Sequence, residues 1–197
     1  MSRDTSVPLI LASASAQRKN LLKLTHVPFR VKVSRAQELD RIRTNCADLV
    51  RENARRKAKD VASRIGRGIV IAADSVVYLG NNKIIGKPRN LKDAKRILKT
   101  LFSQPHWVYT GVAIADAASD RMIDDYEKTK IYMSRLSDVE INRYHAKMHP
   151  LDKAGGFDIE GRGGMFIRRI EGCYTNVIGL PMAKLRLMLK DFGIDLM

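Results

Sequence analysis

Apolar and polar positions change period several times along the chain, and each change predicts an element. Residues 7–13 (VPLILAS) form a short apolar run, read as a buried strand, after which Ser13 or Ser15 can cap a helix reaching about Leu24. Residues 29–33 (FRVKV) alternate as a half-buried strand does. From about residue 47 to 65, Ala54, Ala58, Val61, Ala62 and Ile65 recur at helical spacing, Gly66 ends the helix, and Arg55, Arg56, Lys57 and Lys59 are assigned to its other face. Residues 68–79 (GIVIAADSVVYL) are β-branched and apolar enough for a central strand, and GNN at 80–82 turns it into a short partner containing Ile84 and Ile85. Apolar positions 94, 97, 98 and 101 predict a helix over 91–102, followed by long strands at about 107–116 and 122–134. Ser137 and Glu140 form a capping box for a helix with Ile141 and Tyr144 on its apolar face. Strands are expected around 165–170 and 174–178, and Pro181 opens a closing helix with Leu185, Met188 and Leu189 inside. Strands and helices in this order argue for an α/β sandwich with an elongated central sheet, organised as a single domain over 1–197.

Composition narrows the class. The chain is 45% hydrophobic and 29% charged, without repeats or low-complexity tracts, as an ordered globular protein is. Lys and Arg outnumber Asp and Glu by 36 to 21, so an anionic partner fits the net charge of +15. The basic residues are nevertheless scattered, and solubility with loose, non-specific nucleic-acid attraction accounts for much of that charge. Cys46 and Cys173 lie far apart without metal-ligand spacing, which argues against a disulfide framework or zinc site and for a reduced, cytoplasmic protein. No apolar run approaches the roughly 18 residues of a membrane span. The N-terminus imitates an export signal through Arg3, its apolar run and Ala-Ser-Ala at 12–14. That run is short and broken by Pro8, so the segment is expected to stay in the mature protein as a strand.

Three clusters could carry chemistry. A strand ending in small hydroxyl residues at a helix N-terminus presents backbone N–H groups and the positive end of the helix dipole to a phosphate, and Arg18 adds a forked donor; the competing reading is an ordinary cap. Asp74 falls inside an apolar strand, where a carboxylate is costly unless it binds a cation, accepts hydrogen bonds or sits at the strand's mouth. Lys87, in IGKP at 85–88, is brought back toward Asp74 by the hairpin, and the two could hold a metal and a phosphate or form a surface ion pair. Residues 149–164 (HPLDKAGGFDIEGRGG) mix five glycines with Asp152, Lys153, Asp158 and Glu160, a loop suited to close approach by a ligand, although neither common nucleotide fingerprint is present.

In order along the chain stand L-A-S-A-S-A-Q-R-K-N-L-L, A-A-D-S-V-V, I-G-K-P, Y-T-G-V, D-K-A-G-G-F-D-I-E-G and N-V-I-G-L-P. Together they resemble the Maf family of nucleoside triphosphate pyrophosphatases over nearly the whole chain. The resemblance implies a Maf/ITPase-like fold, an elongated mixed β-sheet flanked by helices with two lobes and a cleft between them. It further implies a cytoplasmic homodimer that uses Mg²⁺ or Mn²⁺ to hydrolyse a nucleoside triphosphate to the monophosphate and pyrophosphate. By motif position Asp74 would be the general base and, with Glu38, would hold the metal. Ser13, Arg18, Lys57 and Lys87 would bind the triphosphate, and Gln17, Ser75, Lys153 and Glu160 would complete substrate binding.

The chain departs from the family pattern where Ala16 replaces Pro, Gln17 replaces the first Arg of a pair, Ser75 replaces Thr and Glu160 replaces Gln. A carboxylate at 160 only accepts hydrogen bonds. It can take N3–H of uracil or thymine but opposes the neighbouring carbonyl, whereas guanine offers two adjacent donors. Glu160 resembles the branch acting on 7-methyl-GTP; D-K-A-G, and the lack of that branch's tryptophan at position 17, resemble the pyrimidine branch. dTTP or UTP is favoured on overall motif likeness and the guanine reading stays open. The contrasting function class is a basic nucleic-acid-binding or division-regulating protein acting through the helix at 48–65. Against it stand the absence of an RRM signature, zinc spacing or helix-turn-helix, and a sole tryptophan, Trp107, read as core rather than as a stacking platform.

Overall fold

Within the apolar run at the start of the chain, Leu9, Ile10 and Leu11 are buried because they lie between two parallel neighbours, whereas Val7 ahead of them is exposed. In the computed structural model, which describes residues 7–40, 45–81, 83–86, 88–147, 151, 155, 157 and 159–197, strand β1 (Leu9–Leu11) pairs with β2 (Phe29–Val31) on one side and β3 (Ile69–Tyr78) on the other. Leu9 stands opposite both Phe29 and Ile69. The remaining strands are β4 (Ile84–Ile85), β5 (His106–Asp116), β6 (Met122–Met133) and β7 (Ile167–Glu171). They complete a mixed seven-stranded sheet of order β2-β1-β3-β5-β6-β7, with β4 antiparallel to β3. The helices are α1 (Ala16–Lys23), α2 (Cys46–Ala62), α3 (Leu91–Ser103), α4 (Asp138–His145), α5 (Tyr174–Ile178) and α6 (Met182–Lys190).

The chain divides into two compact units. One comprises residues up to 75, 110–127 and 179–197, and the other 76–109 and 128–178. In the first, α2 lies on a face of small side chains: Ala54, Ala58 and Val61 pack against Ile10, Ala12, Val70, Ala72, Ala113 and Ala115. Small residues let the helix approach closely. A Cβ at Gly111 of β5 would stand 2.2 Å from the Val50 carbonyl oxygen, so that strand and helix backbones meet there. In the second unit α3 and α4 bury Leu98, Phe102, Ile141 and Tyr144 against Val108, Ile131 and Met133. Ser137 and Glu140 make the reciprocal capping box read from the sequence.

Three local expectations are corrected. Residues 174–178 are helix α5, not a strand. β-branching pointed to a strand, but fully buried Asn176 gives its Nδ2 hydrogens to the Val108 carbonyl and Thr129 Oγ1, a tertiary arrangement that overrides the local preference. Lys57 does not share the polar face of α2 with Arg55, Arg56 and Lys59; it is buried, one turn from Asn53 and one turn from Val61. Trp107 is in a strand, as expected, but is only half-buried and is not part of the core. Among the described residues no helix is long and apolar enough to cross a membrane.

Candidate active site

The end of β1 and the start of α1 are held by their own hydroxyls. Ser15 caps α1 by accepting from the Arg18 backbone N–H at 3.3 Å and donates to Gln17 Oε1 at 3.2 Å. Ser13 is not the cap. Its buried Oγ accepts from the Ser15 N–H at 3.2 Å and from Arg18 Nη1 at 3.4 Å, which braces the turn from within.

Arg18 is turned into the fold. Nε donates to the Gly179 carbonyl at 2.8 Å, Nη1 to the Ala73 carbonyl at 2.8 Å, and Nη2 to Ser75 Oγ at 2.9 Å; Ser75 in turn bonds Thr110 Oγ1 at 2.8 Å. Desolvation pulls the guanidinium pKa down from its ordinary value, against the opposing fields of Asp74 and Glu38. With Ser13 included, four of its five N–H groups have acceptors among the described residues, and one Nη2 hydrogen has none there. Its first task in this arrangement is to tie β1, β3 and the turn at Gly179 together.

The carboxylate of Asp74 is 6% exposed and both of its oxygens have donors. Lys57 Nζ lies 2.7 Å from Oδ1 and Asn53 Nδ2 lies 2.9 Å from Oδ2. Both donors come from α2, four residues apart on the face pressed against the sheet. Lys57 Nζ also reaches Glu38 Oε1 at 2.7 Å, so one ammonium bridges two carboxylates. Their contacting oxygens are therefore no more than 5.4 Å apart (2.7 + 2.7). Asn53 does a second job. Its Oδ1 accepts from the Leu39 N–H at 2.8 Å and its Nδ2 donates to the Leu39 carbonyl at 3.0 Å, clamping the extended segment that carries Glu38 along α2. Asp60, one helical turn beyond Lys57, anchors the same segment by accepting from Ser34 Oγ and the Arg35 N–H. Desolvation pushes the Asp60 carboxyl up, but these bonds and Arg64 outweigh it and leave it lowered.

The sequence-predicted residues thus fall into three groups. Ser13, Gln17, Arg18 and Ser75 gather around the β1–α1 turn; Glu38, Lys57 and Asp74 form one ionic cluster. Glu160 is an exposed turn residue of the other unit, just ahead of a 3₁₀ turn at Arg162–Phe166. Lys87 and Lys153 lie outside the described residues, so the expected approach of Lys87 to Asp74 does too. Asn53 was missed from sequence, although an amide on an otherwise apolar helical stripe, one turn before a lysine, is a readable signal. Among the described residues no three acidic, histidine or cysteine groups could enclose a metal by themselves. Two convergent carboxylates do fit a Mg²⁺-type ion, which binds through one or two carboxylates and keeps waters and phosphate oxygens for the rest.

Fold and site together define an α/β protein with a serine-capped strand-to-helix turn beside a cluster in which buried Lys57 bridges buried Asp74 and exposed Glu38. The family profile of Maf-like proteins matches residues 8–192, and the chain belongs to that family. It is 42% identical over 189 residues to a "dTTP/UTP pyrophosphatase" of Pelotomaculum thermopropionicum, covering 96% of this chain and 98% of the relative. A "dTTP/UTP pyrophosphatase" of Alkaliphilus metalliredigens is 44% identical over 191 residues, with 96% and 98% covered. Among solved structures, the Ham1 protein of Staphylococcus aureus is similar at 15% identity with a TM-score of 0.46, over 64% of this chain and 72% of that one.

Proposed function

We propose that the chain is a metal-dependent nucleoside triphosphate pyrophosphatase with a preference for dTTP and UTP. The observation that carries the reading is the buried Asp74 carboxylate, held through both oxygens by Lys57 and Asn53, with Glu38 on the same lysine. In the reaction a water oxygen bonds to the α-phosphorus while the bond from that phosphorus to the α–β bridging oxygen breaks. Pyrophosphate leaves with the electron pair, and the water's proton passes to Asp74. Each Asp74 oxygen retains a lone pair beyond its bond to α2, so the carboxylate can accept from water without losing its orientation. Lys57 offsets negative charge on the carboxylates and on the incoming triphosphate. The N-terminus of α1, with the spare Nη2 hydrogen of Arg18, gives phosphate oxygens further donors.

Glu38 and Asp74 are the residues that would hold Mg²⁺ or Mn²⁺, and the ion when bound supplies Lewis-acid stabilisation of charge on the phosphoryl oxygens. Lys87 and Lys153 belong to the proposal through the family motifs alone. The pyrimidine preference is supported by the relatives' names and by D-K-A-G; a cytoplasmic homodimer is supported by the family resemblance.

The test is product identity. With dTTP and Mg²⁺ or Mn²⁺, the purified protein should form dTMP and pyrophosphate, and excess EDTA should abolish turnover. Formation of dTDP and inorganic phosphate, or no reaction with dTTP, UTP, CTP, GTP or 7-methyl-GTP, would overturn the reading. Light scattering at micromolar protein should return twice the chain mass; a monomer would remove the dimer from it.

A further inference from the structure

The unit formed by residues 76–109 and 128–178 has one sheet face covered by α3 and α4 and a second face of different chemistry. Strand alternation sends Val108, Ile131 and Met133 to the helices and Trp107, Tyr109, Lys130 and Tyr132 to the other side. On that side Tyr78 of β3 lies 6.2 Å from Trp107 and 6.0 Å from Tyr109, ring centre to ring centre. Cations are interleaved with the rings. Lys128 Nζ stands 5.6 Å from Trp107 and 5.4 Å from Tyr109, Lys130 Nζ stands 5.4 Å from Trp107 and 4.9 Å from Tyr132, and the Arg169 guanidinium is 4.3 Å from Tyr132. All four rings are half-buried rather than core. Tyr132 and Arg169 also border a cleft of about 870 Å³ whose wall adds Arg135, Arg168, Ser103 and Ser134. Glu171 is an acidic group on this edge, and it is engaged by Arg169 and the Tyr132 hydroxyl.

We propose that this face binds single-stranded nucleic acid, its bases stacking on Trp107 and the tyrosines and its phosphates passing along Lys128, Lys130 and the arginine-lined cleft. Aromatic rings alternating with Lys and Arg supply the two elements of sequence-tolerant single-strand binding, a π surface for each base and positive charge for the backbone. A duplex keeps its bases stacked on one another and can use only the charge. A second copy of this chain would set Lys128, Lys130, Arg168 and Arg169 against their own images, whereas a polyanion complements them.

Trp107 is the only tryptophan of the chain, so its fluorescence reports on this face directly. The titrant is an oligodeoxyadenylate of about twelve nucleotides at physiological salt, with excess dTTP present, and with a matched duplex and inorganic polyphosphate as comparisons. The oligonucleotide should quench Trp107 saturably and bind more tightly than either comparison. The Lys128→Glu/Lys130→Glu double variant should retain its melting temperature and weaken binding by about tenfold or more. Equal binding of duplex or polyphosphate, an unchanged affinity in the folded double variant, or no quenching at physiological salt would each overturn the proposal. Loss of self-association in the double variant without oligonucleotide binding by the parent would assign the face to a second copy instead.

Discussion

Asn53 bonds Asp74 and at the same time pairs with both backbone groups of Leu39, so one amide orients the Asp74 carboxylate and positions the segment that carries Glu38. Asn53→Ala should lower kcat for dTTP by about tenfold or more and cost about 2 kcal/mol, because it removes a donor to a buried carboxylate and a clamp on the backbone. Steady-state kinetics and chemical denaturation read the two effects separately; unchanged kcat would deny Asn53 its positioning role. At Glu160 the expected change runs the other way. Glu160→Gln supplies a donor beside an acceptor, matching O4 and N3–H of thymine, and should raise kcat/KM for dTTP about tenfold relative to GTP. An unchanged ratio would show that Glu160 does not read the base, and a fall would contradict the hydrogen-bond match argued for glutamine.

At the scale of elements, the site exists because α2 lies close to the sheet. The alanines at 54, 58, 72, 113 and 115 permit the approach, and Gly111 marks where the backbones meet. Gly111→Ala would place its Cβ 2.2 Å from the Val50 carbonyl oxygen and displace the segment of α2 that leads into Asn53 and Lys57. It should cost about 3 kcal/mol and lower the melting temperature by about 10 °C, with activity falling further than partial unfolding explains. An unchanged melting temperature would contradict the close approach. The elements themselves were legible from hydrophobic period: the alternation of β5, the run of β3 and the capping box of α4 are local properties. The contents of the site were less so. Asp74 was conspicuous as a charge in an apolar run, but its partners lie 17 and 21 residues away in sequence, beyond local pattern. Lys57 was assigned to the wrong face because its basic neighbours concealed the apolar stripe. Helix α5 was misread because buried hydrogen bonds of Asn176, not β-branching, decide that segment.

For the whole molecule, the net charge of +15 gave no site by itself; the structure divides its work between the buried ammonium of Lys57 and the lysines set over aromatic rings. Stability should also depend on pH through a group outside the active site. His106 is 3% exposed, and burial lowers its imidazole pKa from 6.5 to about 4. Between those values the unfolded chain binds a proton that the folded chain refuses. Stability conferred by neutral His106 is therefore full above about pH 7 and falls as the pH drops toward 4. Denaturation at pH 5 should give a value about 2 kcal/mol below that at pH 7, and His106→Gln should flatten this window. An unaltered pH profile in the variant would exclude His106 as the cause.

Asp74→Asn tests the central claim most directly. The variant keeps the size of the side chain but removes the carboxylate proposed to take a proton from water. In a pyrophosphate-release assay with dTTP and Mg²⁺, the parent protein should turn over and the folded variant should lose about a thousandfold in kcat. Undiminished turnover in the variant would contradict the assignment of Asp74 as the base and the reading of the cluster built around it.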